Sequence, residues 1–399
     1  MSKQWAVGSG QRAVGSRQWT ASAVSAHCSL PTAHYLLLTA YCSLLTFLLL
    51  NVAFAADLPP VLFTATEQVT LKLRPATGEL TLTSDGEKLP FAIVKKRGDE
   101  LTVCVPKLPP RAGAVRVDFA GQEPRFIPLL DCFRVALSFD DGPAQGGDDG
   151  RTASPTLAVL RILADFRHGA NNRGAAAIFF VLTSPDTFLR DTFKKGETAA
   201  GGEILREIDR QGHVIGVHWG GGYGKQTTTH PRHAALPAAN SWQNNLLETE
   251  LQQCLDRIED LTGKRPRYVR PPLWKYEKDG VSCLPTYRRL GLKMLLTDAK
   301  YPDGGYKIIS VWIPRKKKLF AQNLRTAFRR GEKNLLLSMH DSNTQTAAAL
   351  PEILQTVKDT FAAIDWGVAN PQTLGDRLRF AQTAAEIENI LDDRRNDAD

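Results

Sequence analysis

Residues 137–143 read Leu-Ser-Phe-Asp-Asp-Gly-Pro, an apolar run that ends in two adjacent carboxylates and a Gly-Pro turn. Neighbouring side chains of a strand point to opposite faces, so Asp140 and Asp141 reach one pocket only if the strand breaks after them. The turn at Gly142-Pro143 supplies that break. Two carboxylates in one pocket suit a metal ligand beside a general base. Taken alone, the stretch is more often a turn or a calcium-loop fragment than a catalytic pair.

Similar apolar runs recur along the chain and alternate with helical patterns. The strand-like runs occupy 134–139, 175–182, 213–218, 267–272, 293–298 and 334–340. The helical patterns lie at 155–166, 241–261 and 350–361, the last with Pro351 in a first-turn position. Buried strands that are each followed by a helix predict an α/β fold, either an open doubly wound sheet or a barrel. In both, chemistry gathers at the carboxyl ends of the strands.

Four of the later runs have, at or near their carboxyl end, a residue suited to catalysis or metal binding. His218 ends the third run, Arg270 lies in the fourth, Asp298 ends the fifth and His340 ends the sixth. Each alone has an ordinary explanation: Arg270 can form a surface salt bridge, and His213, which opens its strand, is expected to be structural. Because parallel strands would bring these residues to one rim, the set as a whole favours a hydrolase site in which imidazoles and a carboxylate bind zinc.

This ordered set resembles the polysaccharide deacetylase family, the carbohydrate esterases that share the NodB homology domain. The resemblance covers about 133–365. It rests on Phe-Asp-Asp-Gly-Pro at 139–143, Arg-Pro-Pro at 270–272, Thr-Asp at 297–298 and His-Asp at 340–341. It implies the family's irregular (β/α)7 barrel for this part of the chain.

The resemblance also implies an activity: metal-dependent hydrolysis that removes N-acetyl groups from an amino-sugar polysaccharide and releases acetate. The partner would be an N-acetylated glycan polymer, either in the cell wall or outside the cell. The implied catalytic residues are Asp140 as base, Arg270 orienting that base, His340 as acid and Asp298 keeping the acid cationic. The residues it places at the oxyanion and the substrate are Leu273, through its backbone N–H, Trp274 and Pro271.

The implied metal site departs from the family pattern in one place. The family's second motif has two histidines four residues apart, but here His218 is followed at that spacing by Gly222. A site of Asp141 and His218 alone holds zinc poorly, so a third ligand is expected from the loop that follows. The flanking residues Thr-His-Pro favour His230, and His233 is the alternative. Three nitrogen and oxygen ligands make Zn²⁺ the expected divalent metal.

Two other functions stay open at this stage. An enzyme with the same machinery can cleave an O-acetyl ester or another C–N amide bond instead. A degenerate member that binds a glycan without cleaving it would account for Gly222. Asp140 and His340 together argue against the second function, because a binding module needs neither a base nor an acid.

The composition is that of a folded, water-soluble protein. Of 399 residues, 43% are hydrophobic and 23% are charged, which excludes collagen-like, wholly disordered and multi-span membrane proteins. Lys and Arg number 50 against 42 Asp and Glu, a net charge of +8 that looks too diffuse to predict nucleic-acid binding. We therefore expect no nucleic-acid partner.

The first 55 residues predict a long leader that contains a signal peptide. No charged residue occurs at 18–56, the run is mostly apolar from Tyr35, and Ala53-Phe54-Ala55 supplies the small residues of a cleavage site. The chain is therefore expected to be exported, to the periplasm or the cell exterior. If the leader is not cleaved, residues 35–56 are instead a membrane anchor, and only then is membrane contact expected.

Three regions follow the leader. Residues 56–130 alternate with period two between turn signals, which predicts a small β-rich domain. Residues 131–370 form the predicted catalytic domain, and 371–399 a C-terminal helix and charged tail. In an oxidising compartment the simplest disulfide pairing is Cys104–Cys132 and Cys254–Cys283, with buried free thiols as the alternative.

Overall fold

The computed structural model describes residue 59 and the ranges 61–74, 78–111, 113–144, 153–168, 172–182, 201–218, 246–274, 276–278, 281–303, 309–368 and 371–394. The predicted leader at 1–55 and the two candidate ligands His230 and His233 lie outside these residues. Over the part of the chain that is described, none of the helices has both the length and the apolar character needed to cross a membrane.

Two mainly antiparallel sheets pack together over residues 62–130. Their strands are β1 (Leu62–Phe63), β2 (Glu67–Leu73), β3 (Leu80–Ser84), β4 (Glu87–Lys88), β5 (Ala92–Arg97), β6 (Glu100–Lys107), β7 (Gly113–Phe119) and β8 (Arg125–Leu130). One sheet has the order β1-β8-β7-β3-β4 and the other β2-β6-β5. Because of the period-two pattern, alternate Val and Leu side chains of both sheets point into a shared core. The predicted all-β region is confirmed.

A curled parallel sheet follows. Its strands, with the small hairpin β13–β14, are β9 (Phe133–Gly142), β10 (Ala177–Val181), β11 (Val214–His218), β12 (Tyr268–Arg270), β13 (Glu277–Lys278), β14 (Val281–Ser282), β15 (Lys293–Met294), β16 (Ala299–Lys300), β17 (Asn334–His340) and β18 (Leu378–Phe380). The sheet order is β15-β12-β11-β10-β9-β17-β16, and β18 pairs with the first residues of β9. This is the barrel type that the sequence predicts.

Helices connect and cover these strands. They are α1 (Pro155–Asp165), α2 (Gly201–Arg210), α3 (Leu246–Thr262), α4 (Leu284–Arg289), α5 (Ile309–Arg329), α6 (Thr344–Ala362) and α7 (Ala384–Asp393), with 3-10 turns at Pro272–Trp274 and Pro371–Arg377. Three of them begin at a side-chain cap: Ser154, Asn343 and Thr383 each accept a hydrogen bond from a backbone N–H in the first turn.

The structure differs from the sequence predictions at three elements. Only the first two residues of the run at 293–298 form a strand, β15, and a second short strand, β16, follows the run at the other end of the sheet order. The last predicted helix begins six residues early, because Asn343 caps it, and Pro351 therefore lies inside α6. The C-terminal region is more than a helix and tail: β18 joins the sheet, and α7 packs Ile387 and Ile390 against its inner face.

An aromatic cluster joins the two sheet regions. Phe63 of β1 lies 5.4 Å from Trp366 and 6.1 Å from Phe133, measured between ring centroids. Residues 57–399 form one compact unit, so the domain boundary near residue 130 stays a prediction. The four cysteines that the structure describes are free thiols, as in the alternative to the predicted disulfides.

Candidate active site

The parallel register brings the polar strand ends to one edge of the sheet. His340 of β17 pairs with Asp140 of β9, and His218 of β11 pairs with Arg270 of β12. Because β12, β11, β10, β9 and β17 are successive neighbours in the sheet, the predicted base, acid, arginine and first histidine meet at the carboxyl ends of the strands. The backbone of Asp141 has a φ of 71°, a departure from extended geometry that marks the break in β9.

Arg270 fixes the carboxylate of Asp140 inside the protein. Its Nη1 atom donates to Asp140 Oδ1 at 2.7 Å and to Ser138 Oγ at 2.8 Å, and its Nε donates to the Leu295 carbonyl at 3.2 Å. The guanidinium also lies over the Phe180 ring, 4.1 Å from its centroid. Burial alone would raise the pKa of Asp140, but the charges of Arg270 and nearby imidazoles lower it below its ordinary value. Asp140 is therefore an ionised carboxylate with a fixed orientation.

Asp141 and His218 face each other as a pair of metal-ligand type. His218 Nε2 lies 3.4 Å from Asp141 Oδ1, and His218 Nδ1 lies 2.9 Å from the carbonyl oxygen of Arg270. A carbonyl only accepts hydrogen bonds, so Nδ1 carries a proton, and Nε2, directed towards Asp141, is the nitrogen that is able to bind a metal. Asp141 Oδ1 is buried and has no hydrogen-bond partner among the described residues. A buried carboxylate oxygen beside this imidazole nitrogen is the environment that a divalent cation completes.

The described residues supply only part of a metal site. No group of three or more His, Cys, Asp or Glu side chains among them is arranged to hold an ion. His340 Nε2 lies 3.9 Å from Asp141 Oδ2, but its other nitrogen is held by a carboxylate and its charge makes it a poor ligand. Asp141 and His218 thus fit two positions of the predicted site. The third predicted ligand, His230, and its alternative, His233, lie outside the described residues.

Asp303 holds the predicted acid. Its Oδ1 atom lies 2.6 Å from His340 Nδ1, and its Oδ2 accepts from the His340 backbone N–H at 2.7 Å and from Thr346 Oγ1 at 2.8 Å. Burial would lower the pKa of His340, but the hydrogen bond and charge of Asp303 raise it to about 9. His340 is therefore an imidazolium at neutral pH, as a general acid must be before it acts.

Asp298 does not fill the role that the family resemblance implies for it. Its Oδ2 accepts from the Leu336 backbone N–H at 2.6 Å and forms an ion pair with Arg394. Leu336 lies four residues before His340 on β17, about 13 Å away at strand spacing. The reason is that the predicted fifth strand ends at Met294, and Asp298 directly precedes β16 instead of following a strand at the rim. The partner of His340 is Asp303, which the sequence analysis did not select.

Asp341 supports the turn that carries the two aspartates. Its Oδ2 accepts from Thr156 Oγ1 at 2.6 Å, and Thr156 Oγ1 in turn accepts from the Ala144 backbone N–H at 2.9 Å. Burial, together with the charge of Asp141, raises the pKa of Asp341 to about 7. The turn packs closely here, since a Cβ atom at Gly142 would lie 2.6 Å from Asp341 Cγ. Thr156 and Asp341 therefore tie α1, β9 and β17 together beneath the site.

The 3-10 turn after β12 forms one wall of the site. The Trp274 backbone N–H donates to the carbonyl of the buried Pro271 at 2.9 Å, and Trp274 has a φ of 62°. Lys300 Nζ lies 5.1 Å from the centroid of the Trp274 ring, and the Arg270 guanidinium lies 5.7 Å from it. The predicted oxyanion residue Leu273 belongs to this turn. Of the three residues predicted at the oxyanion and the substrate, Trp274 thus lies beside Arg270, whereas Pro271 is buried and does not fit its predicted contact with the substrate.

His213 is structural, as its place at the start of β11 predicts. Its Nδ1 accepts from the Ala177 backbone N–H at 3.1 Å, and its ring packs 5.4 Å from that of Phe179. Burial lowers the pKa of His213 to about 4, so the ring is neutral in the folded protein. It lies away from the rim and takes no part in the site.

The comparisons with known proteins point to one family. Residues 130–295 match the model of the polysaccharide deacetylase family, which includes Asp140, Asp141, His218 and Arg270 but ends before Asp303 and His340. No curated protein matches the chain.

Several solved structures are similar at low sequence identity. The polysaccharide deacetylase Bc1974 from Bacillus cereus is 22% identical over 57% of this chain and 88% of its own, with a TM-score of 0.38. The peptidoglycan deacetylase PdaC from Bacillus subtilis is 19% identical over 66% and 93%, with a TM-score of 0.37. A carbohydrate esterase family 4 pseudoenzyme from Bacillus anthracis is 15% identical over 62% and 67%, with a TM-score of 0.35. The similarity to the polysaccharide deacetylase family rests on the family model, which matches residues 130–295 of this chain.

Proposed function

We propose that this protein hydrolyses N-acetyl groups of an amino-sugar polysaccharide, releasing acetate and leaving a free amine on the sugar. The observation that carries the proposal is the presence, at one rim, of a base and an acid in opposite charge states. Asp140 is held ionised by Arg270, and His340 is held protonated by Asp303.

The chemistry of an amide requires both groups. The carbonyl is a poor electrophile, so the attacking water must lose a proton, and the amine is a poor leaving group, so its nitrogen must gain one. Asp140 accepts the proton of the water, and Arg270 keeps its carboxylate aimed. His340 then donates its Nε2 proton to the departing nitrogen while Asp303 stabilises Nδ1–H. The C–N bond breaks, the hydroxyl of the water stays on the acyl carbon, and the products are acetate and the amine.

A divalent cation, with zinc as the first choice, fits the donors that face the site. Asp141 and His218 would hold it, and we propose His230 as the third ligand, with His233 as the alternative. When bound, such an ion polarises the amide carbonyl and lowers the pKa of a neighbouring water. The Oδ1 atom of Asp141 supports this proposal. It is buried without a hydrogen-bond partner among the described residues, and burying a carboxylate oxygen in this way costs free energy unless another group, such as a cation, binds it.

The remaining rim residues bind and orient. We propose that the backbone N–H of Leu273 donates to the oxyanion as the carbonyl becomes tetrahedral. The indole of Trp274, which is partly exposed, would then lie against the sugar, a contact that suits the apolar face of a pyranose. Pro271 is buried, so we assign it to holding the turn rather than to contact with the sugar. Asp298, by contrast, anchors the C-terminal segment through Arg394 and has no place in the reaction.

We also propose that the protein works outside the cytoplasm. The support is the sequence alone: the uncharged run at 18–56 and the small residues Ala53-Phe54-Ala55. N-terminal sequencing of the protein from its producing cell is expected to begin near Ala56. A cytosolic protein that still begins at Met1 would contradict export, and a membrane-bound one would favour an anchor at 35–56.

The test of the activity is acetate release from a panel of N-acetylated glycans, with matched O-acetylated glycans beside them. We expect release from an N-acetylated member that stops with a chelator and returns with zinc. The variant His340→Ala is the control for non-enzymatic release. Release from O-acetyl esters alone would replace the proposal with an esterase, and tight glycan binding without release from any member would replace it with a binding protein.

A further inference from the structure

The helix α5 carries most of the net charge of the chain. Residues 309–330 contain seven basic residues and no acidic one: Arg315, Lys316, Lys317, Lys318, Arg325, Arg329 and Arg330. Since the whole chain has a net charge of +8, the rest of the sequence is close to neutral. The charge is therefore concentrated on one element, which corrects the sequence-based view that it is diffuse.

None of these seven side chains forms an ion pair with a carboxylate in the described part of the chain, although basic residues elsewhere commonly do. Arg265, Arg267 and Arg289, for example, each pair with one or two acidic side chains. A row of like charges without counter-charges repels itself and destabilises the helix that carries it. Such a row is expected where a ligand supplies the missing negative charge.

Four of the seven form a stripe along one face of α5, which we call the basic stripe: Arg315, Lys318, Arg325 and Arg329. All four are exposed, and at 100° per residue they fall within an arc of about 80°. Fourteen residue steps separate Arg315 from Arg329, about 21 Å of helix. The stripe is therefore long, narrow and straight.

The opposite face of α5 is held firmly in the core. Phe320, Leu324 and Phe328 are buried there, and Phe320 packs edge-on against Tyr301 with 5.5 Å between ring centroids. Asn323 Nδ2 donates to the carbonyl of Lys300 at 3.4 Å. These contacts fix α5, and with it the stripe, against residues 300–301, the segment that leads to Asp303 at the rim.

We propose that the basic stripe binds a linear anionic glycan, one with acidic groups on its repeating units. The straight geometry fits an extended polymer, and Lys and Arg together suit acidic groups presented in series. The binding does not depend on the deacetylase reaction. Its consequence is retention: the protein stays attached to the polymer along α5.

A lipid surface fits the stripe less well. Helices that lie on membranes insert a broad apolar face, but the apolar face of α5 is already buried in the core. On the described part of the helix, Leu319, which is 46% exposed, is the single large apolar side chain at the surface. The same face presents no exposed aromatic ring among its described residues on which a nucleic-acid base could stack.

The test compares two charge-matched variants of the full chain. The stripe variant carries Arg315→Gln, Lys318→Gln, Arg325→Gln and Arg329→Gln. The control variant carries Lys88→Gln, Lys95→Gln, Lys96→Gln and Arg97→Gln, which removes the same charge from the exposed β4 and β5. Binding of a labelled linear oligogalacturonate is measured by fluorescence anisotropy over a series of salt concentrations.

We expect the stripe variant to bind at least about tenfold more weakly than the unmodified protein, because several modest ion pairs are lost together. The control variant should stay within about twofold, and the affinity of the unmodified protein should fall with salt more steeply than that of the stripe variant. Acetate release by the stripe variant from a neutral N-acetylated glycan should be unchanged. This last measurement separates failure of the stripe from failure of the deacetylase activity.

Four results would overturn the proposal. They are the absence of oligogalacturonate binding at low salt, an equal loss of affinity in both variants, equal binding of a neutral glycan of the same length, and tighter binding of phosphatidylglycerol vesicles or duplex DNA. Equal loss would show that overall charge acts, rather than its position. The last result would assign the stripe to a membrane or to a nucleic acid.

Discussion

His340 Nδ1 and Asp303 Oδ1 are 2.6 Å apart, and this contact sets the charge of the imidazole at the rim. The same carboxylate accepts from the His340 backbone and from Thr346, so its position is fixed from three directions. A fixed carboxylate on Nδ1 leaves Nε2 as the atom that exchanges a proton with substrate. Asp303 thus prepares His340 for one of the two proton transfers that amide hydrolysis needs.

The first prediction is that Asp303→Asn moves the alkaline limit of activity to lower pH. Asp303 raises the pKa of His340 to about 9, so its removal lowers that pKa and leaves less imidazolium at neutral and alkaline pH. We expect a loss of about tenfold or more in kcat at pH 8. The measurement is the pH profile of acetate release. Asp298→Asn is the matched control, and a shift caused by that variant instead would restore the role first predicted for Asp298.

The sequence predicts most of the rim because strand ends are visible in it. Asp140, His218 and His340 each end a long apolar run, and parallel strands bring their carboxyl ends to one edge. This reasoning does not identify Asp303, because β16 is only two residues long and Asp303 comes three residues after it. A Pro-Asp dipeptide after a short apolar segment, here at 302–303, is the signal that could have drawn attention to it.

The sequence does not predict the strand β18 in the C-terminal region, for a different reason. The three residues of β18 are too few for a period to be read, and their place is fixed by pairing with Phe133 to Val135, more than two hundred residues earlier. The helix α7 is visible as an apolar pattern, but its site on the inner face of the sheet depends on that pairing. Local sequence specifies such segments weakly, and tertiary contacts decide them.

The second prediction separates the two adjacent aspartates. Asp140 is bound by Arg270, whereas Asp141 faces His218 with an unpartnered oxygen. We expect Asp140→Asn to lower kcat by about 10²-fold or more while bound zinc stays near its normal level. Asp141→Asn should lose both. Metal analysis of the two purified variants provides the measurement, and equal zinc loss in both would show that the assigned roles are wrong.

The third prediction concerns the ligand that completes the metal site. We expect His230→Ala to lose bound zinc and activity, and His233→Ala to keep most of both, because two protein ligands hold zinc weakly. The measurement is zinc content after dialysis against a weak chelator. The reverse result would exchange the two residues. If both variants keep zinc and activity, the three-ligand site proposed here is wrong.

The fourth prediction tests the turn that carries the aspartates. Gly142→Ala places a Cβ atom 2.6 Å from Asp341 Cγ, so either the turn or Asp341 must move. Overpacking of this kind costs about 1 to 3 kcal/mol, and we expect a lower melting temperature together with a lower kcat. Gly375→Ala is the control, since its Cβ would meet nothing within 4 Å. Unchanged activity in Gly142→Ala would show that the turn tolerates displacement without moving Asp140.

The fifth prediction is a loss of stability in acid that depends on His213. Its pKa is lowered by burial to about 4 in the folded protein, against an ordinary value near 6.5 when unfolded. Between these values the unfolded chain takes up a proton that the folded protein excludes, so the free energy of unfolding falls as pH falls from 6.5 towards 4. His213 should account for about 2 to 3 kcal/mol of that fall by pH 4.5. His213→Gln keeps an acceptor for the Ala177 N–H but cannot titrate. Urea unfolding at pH 7 and pH 4.5 should therefore show a smaller loss in the variant, and an equal loss in both proteins would mean that His213 is not kept neutral by the fold.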